Sequence, residues 1–533
     1  MIDALTMDDY PLSLTTLVER AQLFTDADVV TRRPDGRIVR SNLGECARRA
    51  RHLATALAGL GVGPGDLVAT LLWNQAEHLE LYFAVPAMGA TLHTLNPRLH
   101  PDELAFIAND ACDSILVVDE SLLDVASSVI KNHSFKNVIV VTSGQPIPDG
   151  MIGYESCIAT TEPMGWPTLD ERSPAVMCYT SGTTGRPKGV VYSHRALVLH
   201  SMAAALPDVI GISRQDTVLP VVPLFHANAW GLPYAAALVG ASIILPGPLL
   251  DPVNVLDLLA TEHVTVTAGV PTVWMAMLAA LDAEPHRWDL SRLKRLIVGG
   301  AAVPRSMFEG YDKHGLDVIQ AWGMTELAPL GATSRLPREP QEGDDPDARY
   351  AYRARQGTAL PLIEIRAVDD TGSPIDWDDT TVGELEVRGP WVAGGYHNGR
   401  GADSFTADGW FRTGDVVHID QRGSIRISDR VKDLVKSGGE WISSVDLENH
   451  LMNHRAVAEA AVIAIPDPRW GERPLAVVVP RIGHTVEPGD LRNHLLAHFA
   501  KWQVPERFEF VSEIPRTATG KFRKTALRAQ FPD

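Results

Sequence analysis

The sequence predicts an α/β protein. A large N-terminal domain combines α/β sheets with a small β subdomain, and a small α+β C-terminal domain follows. Three observations lead there. Helix-period and strand-like runs alternate through the first half of the chain, as they do where helices cover buried strands. From Pro361 the texture changes to short strands and turns, in LIEIRAV, GELEVRG and WFRTGDVVHID. Past a charged break at Asp429-Arg430 and the pair Gly438-Gly439, about a hundred residues read as one further unit of ordinary domain size. The expected division is 1–428 for the large domain, 429–434 for a connecting segment and 435–533 for the small domain.

Composition narrows the function. The chain has 533 residues and a formal net charge of −18, which speaks against a general nucleic-acid or anionic-membrane binder and obliges any anionic substrate to meet a local basic patch. Cys46, Cys112, Cys157 and Cys178 lie far apart without metal-ligand spacing, as suits a reducing cytosol. The start, MIDALTMDDY, has neither the basic nor the apolar region of a signal peptide. The longest apolar run, Tyr234 to Leu250, is cut by Pro246, Gly247 and Pro248, so no spanning helix is expected.

The elements follow in order. A helix is expected over 14–24, and a clearer one from Leu43, capped by Ser41 or Asn42, with Ala47, Ala50, Ala54, Leu57 and Leu60 on one stripe and Arg48, Arg49, Arg51 and His52 on a solvated face. Strands are expected at 67–73, 115–118, 138–142, 175–178, 264–268 and 293–298, and helices at 77–88, 101–109 and 195–205. Pro220 and Pro223 exclude a central helix from VLPVVPLFHANAW. Residues 335–356, polar, acidic and rich in Arg and Pro, read as an exposed, partly helical insertion. Beyond the charged break, helices at 445–453 and 491–499 and strands at 460–465, 475–479 and 508–511 complete the small unit.

The chemistry concentrates in YTSGTTGRPKG, Tyr179 to Gly189. Three glycines let backbone N–H groups turn inward on an anion, four aliphatic hydroxyls add donors and Lys188 adds charge, which makes a polyphosphate cradle without the Gly-Lys-Ser/Thr ending of a Walker loop. This stretch, with VYSHRAL after it, resembles the phosphate loop of the adenylate-forming superfamily: acyl-CoA synthetases, peptide-synthetase adenylation domains and luciferases. The similarity runs from about Leu14 to Arg528 and is nearest to bacterial medium- and long-chain fatty acyl-CoA synthetases.

That resemblance implies roles. ATP or AMP would meet Thr180, Ser181, Gly182, Thr183, Thr184, Gly185 and Lys188 in the loop, Gly299 and Gly300 in VGGAAVP, and Gln320, Ala321, Trp322 and Thr325 in QAWGMTE. Trp322 would stack on adenine where most relatives have Tyr. Asp415 in FRTGD resembles the ribose anchor, and Arg430, Lys432, Lys436 and Trp441 resemble residues that meet the adenylate. Thr180 and Glu326 would hold Mg²⁺, Lys521 in RTATGKFRK would be the catalytic lysine with Thr325, Glu326 and His226 beside it, and Trp230 would gate the acyl tunnel. Asp429 would be the hinge of a mobile small domain, and Lys436, Gly438 and Gly439 would line a channel for CoA. The implied reaction is ATP-dependent formation of acyl-CoA through acyl-AMP in the cytoplasm, by a homodimer with charged interface positions near Glu171, Arg172 and Arg195. Peripheral membrane contact stays open, and no nucleic-acid partner is expected. Other readings are a CoA ligase for a short or substituted acid, such as methylthio-propionate or an aryl acid, a ligase loading a carrier protein, and a nucleotide-binding regulator without chemistry. Lys188, Glu326, Asp415 and Lys521 together weigh against the last.

Overall fold

The computed structural model describes residues 9–159, 161–180, 186–338, 341, 343–437, 440–517 and 521–532, without the side chain of Glu440. Helix formation near the start follows local chemistry. The helix Leu43–Gly59 begins at Asn42, whose side chain accepts from Glu45 N–H, and Leu43, Ala47, Ala50, Ala54 and Leu57 are wholly buried on one stripe. The cations opposite are less solvated than their positions suggest. Arg49 reaches Glu80 and Glu155, the Arg51 guanidinium donates to Met164 O, and His52 meets Thr161 O. Long side chains at the edge of a buried stripe find partners on neighbouring elements that periodicity does not show.

Among the described residues the strands form three sheets. The first runs in spatial order Ile152–Gly153, Asn137–Val141, Ile115–Asp119, Leu67–Leu71, Thr91–Thr94, Pro174–Tyr179 and Gly189–Ser193. Only the last pair is antiparallel, and the glycine-rich loop joins those two strands. The second sheet has a parallel part, Asp28–Arg32, Ser242–Leu245, Thr217–Pro220, Val266–Gly269, Arg295–Gly299 and Val318–Gly323, with Ile38–Asn42 antiparallel at its edge. It continues as an antiparallel part, Leu330–Thr333, Gly357–Ala359, Ser424–Arg430, Phe411–Ile419, Gly383–Arg388 and Glu364–Val368. The expected β subdomain is therefore joined to the main sheet, but only through the short strand Gly357–Ala359, which pairs at Thr358 and Ala359 on one side and at Gly357 and Thr358 on the other. The third, small sheet holds Glu440–Ile442, Val435–Ser437, Gly471–Pro480, Val457–Asp467 and Arg507–Phe510, with the helices Ser444–Met452, Pro488–Leu496 and Lys524–Gln530 in the same part of the chain.

Two expectations change. The helical part expected within residues 335–356 spans Pro346–Arg353, but the stretch is not exposed throughout: Arg353 is buried and pairs with Asp312, and Arg355 is buried and pairs with Asp379. Gln356 Oε1 accepts from Ile427 N–H, so the polar side chains of this stretch tie two parts of the sheet together. Asp429 is not in a break. It lies in the strand Ser424–Arg430, buried, and its carboxylate accepts from Ser444 N–H at 2.6 Å. Local polarity misleads there, because a carboxylate that finds a backbone donor can lie buried inside a strand.

No described helix is long and apolar enough to cross a membrane. Glu171 and Arg195 bond one another at 2.7 Å, and Glu171 also accepts from Leu12 N–H, so these charges are engaged within the chain.

The main sheet turns sharply at Gly323, where the register with Leu330–Thr333 shifts. A Cβ on Gly323 would lie 1.9 Å from Pro329 O. We expect Gly323→Ala to cost about 1–3 kcal/mol, by overpacking against backbone that cannot yield, and to lower the urea midpoint of the large domain. An unchanged midpoint would show that the turn carrying Thr325 and Glu326 can shift.

Candidate active site

A chamber of about 690 Å³ opens at the carboxyl ends of the parallel strands Thr217–Pro220, Val266–Gly269, Arg295–Gly299 and Val318–Gly323. Open α/β sheets place ligands there, since the chain must leave each strand through a turn. Gly299 and Gly300 form one such turn. Gly300 has φ +90°, and a Cβ on it would come within 3.8 Å of Lys521 Cε. A Cβ on Gly299 would meet Trp230 Cη2 at 2.9 Å, so this glycine keeps the space the indole uses.

Trp230 arrives on an unusual backbone. Ala227, Asn228, Ala229, Trp230 and Gly231 have φ of 36°, 46°, 50°, 57° and 72°, one turn of left-handed helix. For L residues this costs roughly 1–2 kcal/mol each, so the surroundings must enforce it. Asn228 accepts from the Cys178 thiol, and a Cβ at Gly231 would lie 2.5 Å from the His200 ring. In the sequence only Gly231 hints at this turn.

The other walls bring the charges. Trp322 lines the chamber on the last strand, and its indole N–H donates to Asp415 Oδ2 at 2.9 Å. Arg430 Nε meets Asp415 Oδ1 at 2.9 Å, and that carboxylate holds the guanidinium above its ordinary range. Asp415 itself is 2% exposed, beneath the wall that Thr413 and Gly414 present. Glu326 stands on a short turn of 3-10 helix, Thr325–Leu327, and accepts from Tyr396 Oη at 2.6 Å. The two ends of the glycine-rich loop are tied by Thr180 N–H to Lys188 O and by Lys188 N–H to Thr180 Oγ1. Lys188 and Thr180 face the chamber, while Ser181, Gly182, Thr183, Thr184 and Gly185 lie outside the described residues, as do Gly438 and Gly439.

Lys521 comes from the small-sheet side. Its N–H bonds Thr517 Oγ1, and its side chain enters the chamber among Arg430, Glu326 and Asp415. Enclosure and the neighbouring Arg430 lower its ammonium to about 8, against the pull of Asp415 and Glu326. His226 also lines the chamber. Enclosure, with the charges of Lys521 and Arg98, lowers its imidazole to about 4, so it is neutral near pH 7.

The structure therefore gathers Thr180, Lys188, His226, Trp230, Gly299, Gly300, Ala321, Trp322, Thr325, Glu326, Arg430, Lys432 and Lys521 around one space. It does not bring Gln320, Lys436 or Trp441 there. Gln320 is buried with its carbonyl accepting from Ser334 N–H. Lys436 and Trp441 face each other on the hairpin of the small sheet, Nζ 4.9 Å from the ring centroid. Sequence reading missed Tyr396 and Arg98, and it gave Arg186, a cation of the glycine-rich loop, no role of its own. Tyr396 sits in VAGGYHNGR, a loop without periodicity whose only signal is its glycines. A second cavity, about 1030 Å³, shares Arg98, Thr180, Arg186, Phe225 and His226 with the chamber and runs out past Arg516, Arg523 and Ala529.

A chamber at parallel strand ends, with a lysine delivered from a separate small sheet, defines an adenylate-forming enzyme. The AMP-binding enzyme family model matches residues 17–397, the AMP-binding enzyme C-terminal domain model matches 446–521, and the chain belongs to the AMP-binding enzyme family. It is 49% identical to a long-chain-fatty-acid–CoA ligase of Thermus thermophilus over 99% of this chain and 97% of that one. It is 42% identical to a 3-methylmercaptopropionyl-CoA ligase of Ruegeria lacuscaerulensis over 98% of each chain. The crystal structure of the anthranilate CoA ligase AuaEII in complex with anthranoyl-AMP superposes with a TM-score of 0.86 at 26% identity, covering 98% of this chain and 99% of that chain.

The ammonium of Lys521 should titrate near pH 8, below the ordinary lysine value of about 10.4. The rate of its acylation by an amine-reactive anhydride in the absence of nucleotide, followed by peptide mass mapping, should rise through pH 8. A midpoint at the ordinary value would place the side chain outside the chamber.

Proposed function

We propose that this protein is a cytosolic fatty acid–CoA ligase that activates a medium- or long-chain acid as its acyl-adenylate and passes the acyl group to CoA. The observation that carries the reading is the position of Lys521, inside the chamber with Arg430 and Glu326, with the charge of Asp415 behind the wall, next to an apolar side lined by Val221, Val222, Val270 and Val273. The four cysteines are free, which suits a cytosolic site. Homodimer formation through the large domain remains part of the reading, supported by family likeness.

A carboxylate is a poor acyl donor because its leaving group would be oxide. In the first half-reaction a carboxylate oxygen attacks the α-phosphorus in line with departing pyrophosphate. Trp322 would cover the adenine, Asp415 would accept from the ribose hydroxyls, and Lys188 would hold the leaving phosphates. Lys521 would stand between carboxylate and α-phosphate and offset the charge that builds in the transition state. Neutral His226, at the junction of both cavities, would present an N–H to the substrate carboxylate without trapping it as an ion pair.

The protein's donors fit Mg²⁺. Glu326 offers a hard oxygen and Thr180 a hydroxyl, and among the described residues no group of three or more His, Cys, Asp or Glu is arranged to hold a metal. One carboxylate is what a small cation needs when substrate phosphates and water complete its shell. When bound, Mg²⁺ would neutralise the polyphosphate.

In the second half-reaction the CoA thiolate attacks the acyl carbon and AMP leaves. Residues 435–533 would turn as a small domain about 429–434, withdrawing Lys521 and bringing Lys436, Gly438 and Gly439 to line the pantetheine channel. The bonds from Ser444 N–H to Asp429 Oδ2 and from Ser443 Oγ to Ser428 O lie at that pivot and support a defined axis. Trp230, resting on Gly299, would shut the acyl tunnel until nucleotide binding moves it.

The test is pyrophosphate and AMP release from Mg-ATP across saturated acids of graded length, with 3-methylthiopropionate in the same panel, with and without CoA. CoA-dependent AMP release should peak at a medium or long chain. Lys521→Ala should slow the adenylate-forming step by roughly 10²- to 10³-fold and leave thioester formation from supplied acyl-AMP within a few-fold. Preference for 3-methylthiopropionate would move the substrate to the short, substituted class. No turnover with any acid would overturn the enzyme reading.

Trp322→Phe keeps a ring for adenine but removes the donor to Asp415. We expect the Kd for ATP to rise roughly five- to tenfold, as the carboxylate loses one of its two anchors. An unchanged Kd would show that Arg430 alone orients Asp415.

A further inference from the structure

Two charged side chains that the reading above places at the polyphosphate, Lys188 and Glu326, are both held by one residue. The Tyr396 hydroxyl donates to Glu326 Oε1 at 2.6 Å. The Tyr396 ring carries the Lys188 ammonium, Nζ 4.6 Å from its centroid. Space for the second contact is built into the backbone. Gly401 has φ +62°, and a Cβ on it would lie 2.7 Å from Lys188 Nζ and 3.0 Å from the Tyr396 ring.

The loop that carries Tyr396 is tied by Ala393 N–H to Glu326 O and, on its other side, to Asp110. Asp110, in the last turn of the helix Pro101–Ala111, accepts from Arg400 Nη1 at 2.9 Å, from Asn398 Nδ2 at 3.3 Å and from Tyr179 Oη at 2.8 Å. Burial pushes the Asp110 carboxyl up, but the bonds from Arg400 and Tyr179 outweigh it and keep it below the usual range. Tyr179 ends the strand before the glycine-rich loop, so Asp110 links that loop's approach to the segment of Tyr396. Burial, reinforced by the Glu326 charge, pushes the Tyr396 phenol up, so it stays protonated and acts as a donor.

We propose that Tyr396 is a positioning residue for adenylate formation: its ring parks the Lys188 ammonium and its hydroxyl fixes one oxygen of Glu326, so that the cation meant for phosphate and the carboxylate meant for Mg²⁺ do not neutralise each other. Among the described residues Lys188 and Glu326 form no ion pair, although both face the same chamber. An ammonium over an aromatic face keeps its full charge and is readily released to a phosphate, whereas one paired with a carboxylate would have to break that pair first. A hydroxyl on one carboxylate oxygen leaves the other available to a metal and sets its direction. The inference rests on the reading of Lys188 and Glu326 given under the proposed function.

The test is calorimetric titration of the full chain with ATP, in EDTA and at graded MgCl₂, for wild type, Tyr396→Phe and Tyr396→Leu, with Lys188→Ala and Glu326→Gln in parallel. Tyr396→Phe keeps the ring and loses the hydroxyl. Its metal-free affinity should stay within about twofold of wild type, while the Mg²⁺ concentration that half-maximally enhances ATP binding rises roughly five- to tenfold. Tyr396→Leu should show that shift and, in addition, a metal-free affinity lowered by roughly fivefold. Recovery of metal-free binding by Phe but not Leu separates positioning from packing. In turnover, KM for ATP should rise more than kcat falls. Wild-type binding curves for both variants would overturn the proposal, as would equal loss in Phe and Leu together with equally lowered thermal midpoints. If Lys188→Ala and Glu326→Gln alter ATP binding and the Tyr396 variants do not, the proposal alone fails. If those two are silent as well, the reading of the phosphate site fails with it.

Discussion

Lys188, Arg430, Lys432 and Lys521 face one chamber of a protein whose formal net charge is −18, and their mutual repulsion is the constraint the site must meet. Two nearly buried carboxylates meet it. Asp415 pairs with Arg430 and attracts Lys521, and Glu326 attracts both. Each carboxylate is in turn held by an aromatic donor, Trp322 for Asp415 and Tyr396 for Glu326. A buried charge with a fixed hydrogen-bond partner keeps its direction, which is what preorganisation requires. Cations still outnumber carboxylates along the chamber wall, and that surplus is what attracts a polyanion.

The source of those groups matters as much as their charge. Trp322, Thr325 and Glu326 leave the last parallel strand of the main sheet, Asp415 and Arg430 come from its antiparallel extension, and Lys521 comes from beyond the small sheet. The short strand Gly357–Ala359 joins the first two sources in one sheet. Among the described residues Lys521 is joined to the main sheet by no strand pairing. Its segment is braced by Lys524, which bonds Ser444 Oγ and pairs with Glu448, and Ser444 N–H in turn meets Asp429 at the strand end. The segment of Lys521 and the strand end at Asp429 are therefore connected through three polar contacts.

Much of this was legible in residues. Asn42, the alanine stripe behind it and the buried strand before YTSGTTGRPKG declare themselves by local physics, because capping and periodicity depend only on near neighbours. Glu326, Asp415 and Lys521 were legible through motif resemblance, where spacing of residue types stands in for geometry. Tyr396 was not, since its two contacts join positions 208 and 70 residues away in the chain, and nothing in VAGGYHNGR marks it. The left-handed turn before Gly231 was hidden for the same reason: it is imposed by Cys178 and His200 from other elements.

The amino-acid sequence by itself determined the α/β class, the order of the elements, the glycine-rich loop and the residue types of the site, because these depend on periodicity, turn chemistry and composition along the chain. Tertiary structure alone decided that Trp322 and Arg430 share Asp415, that the β subdomain is an extension of the main sheet, that Gln320, Lys436 and Trp441 stand outside the chamber, and that Tyr396 holds Lys188 and Glu326 apart. Those outcomes rest on which distant side chains meet in a place sheltered from water, and electrostatic strength, donor supply and available space are set only there.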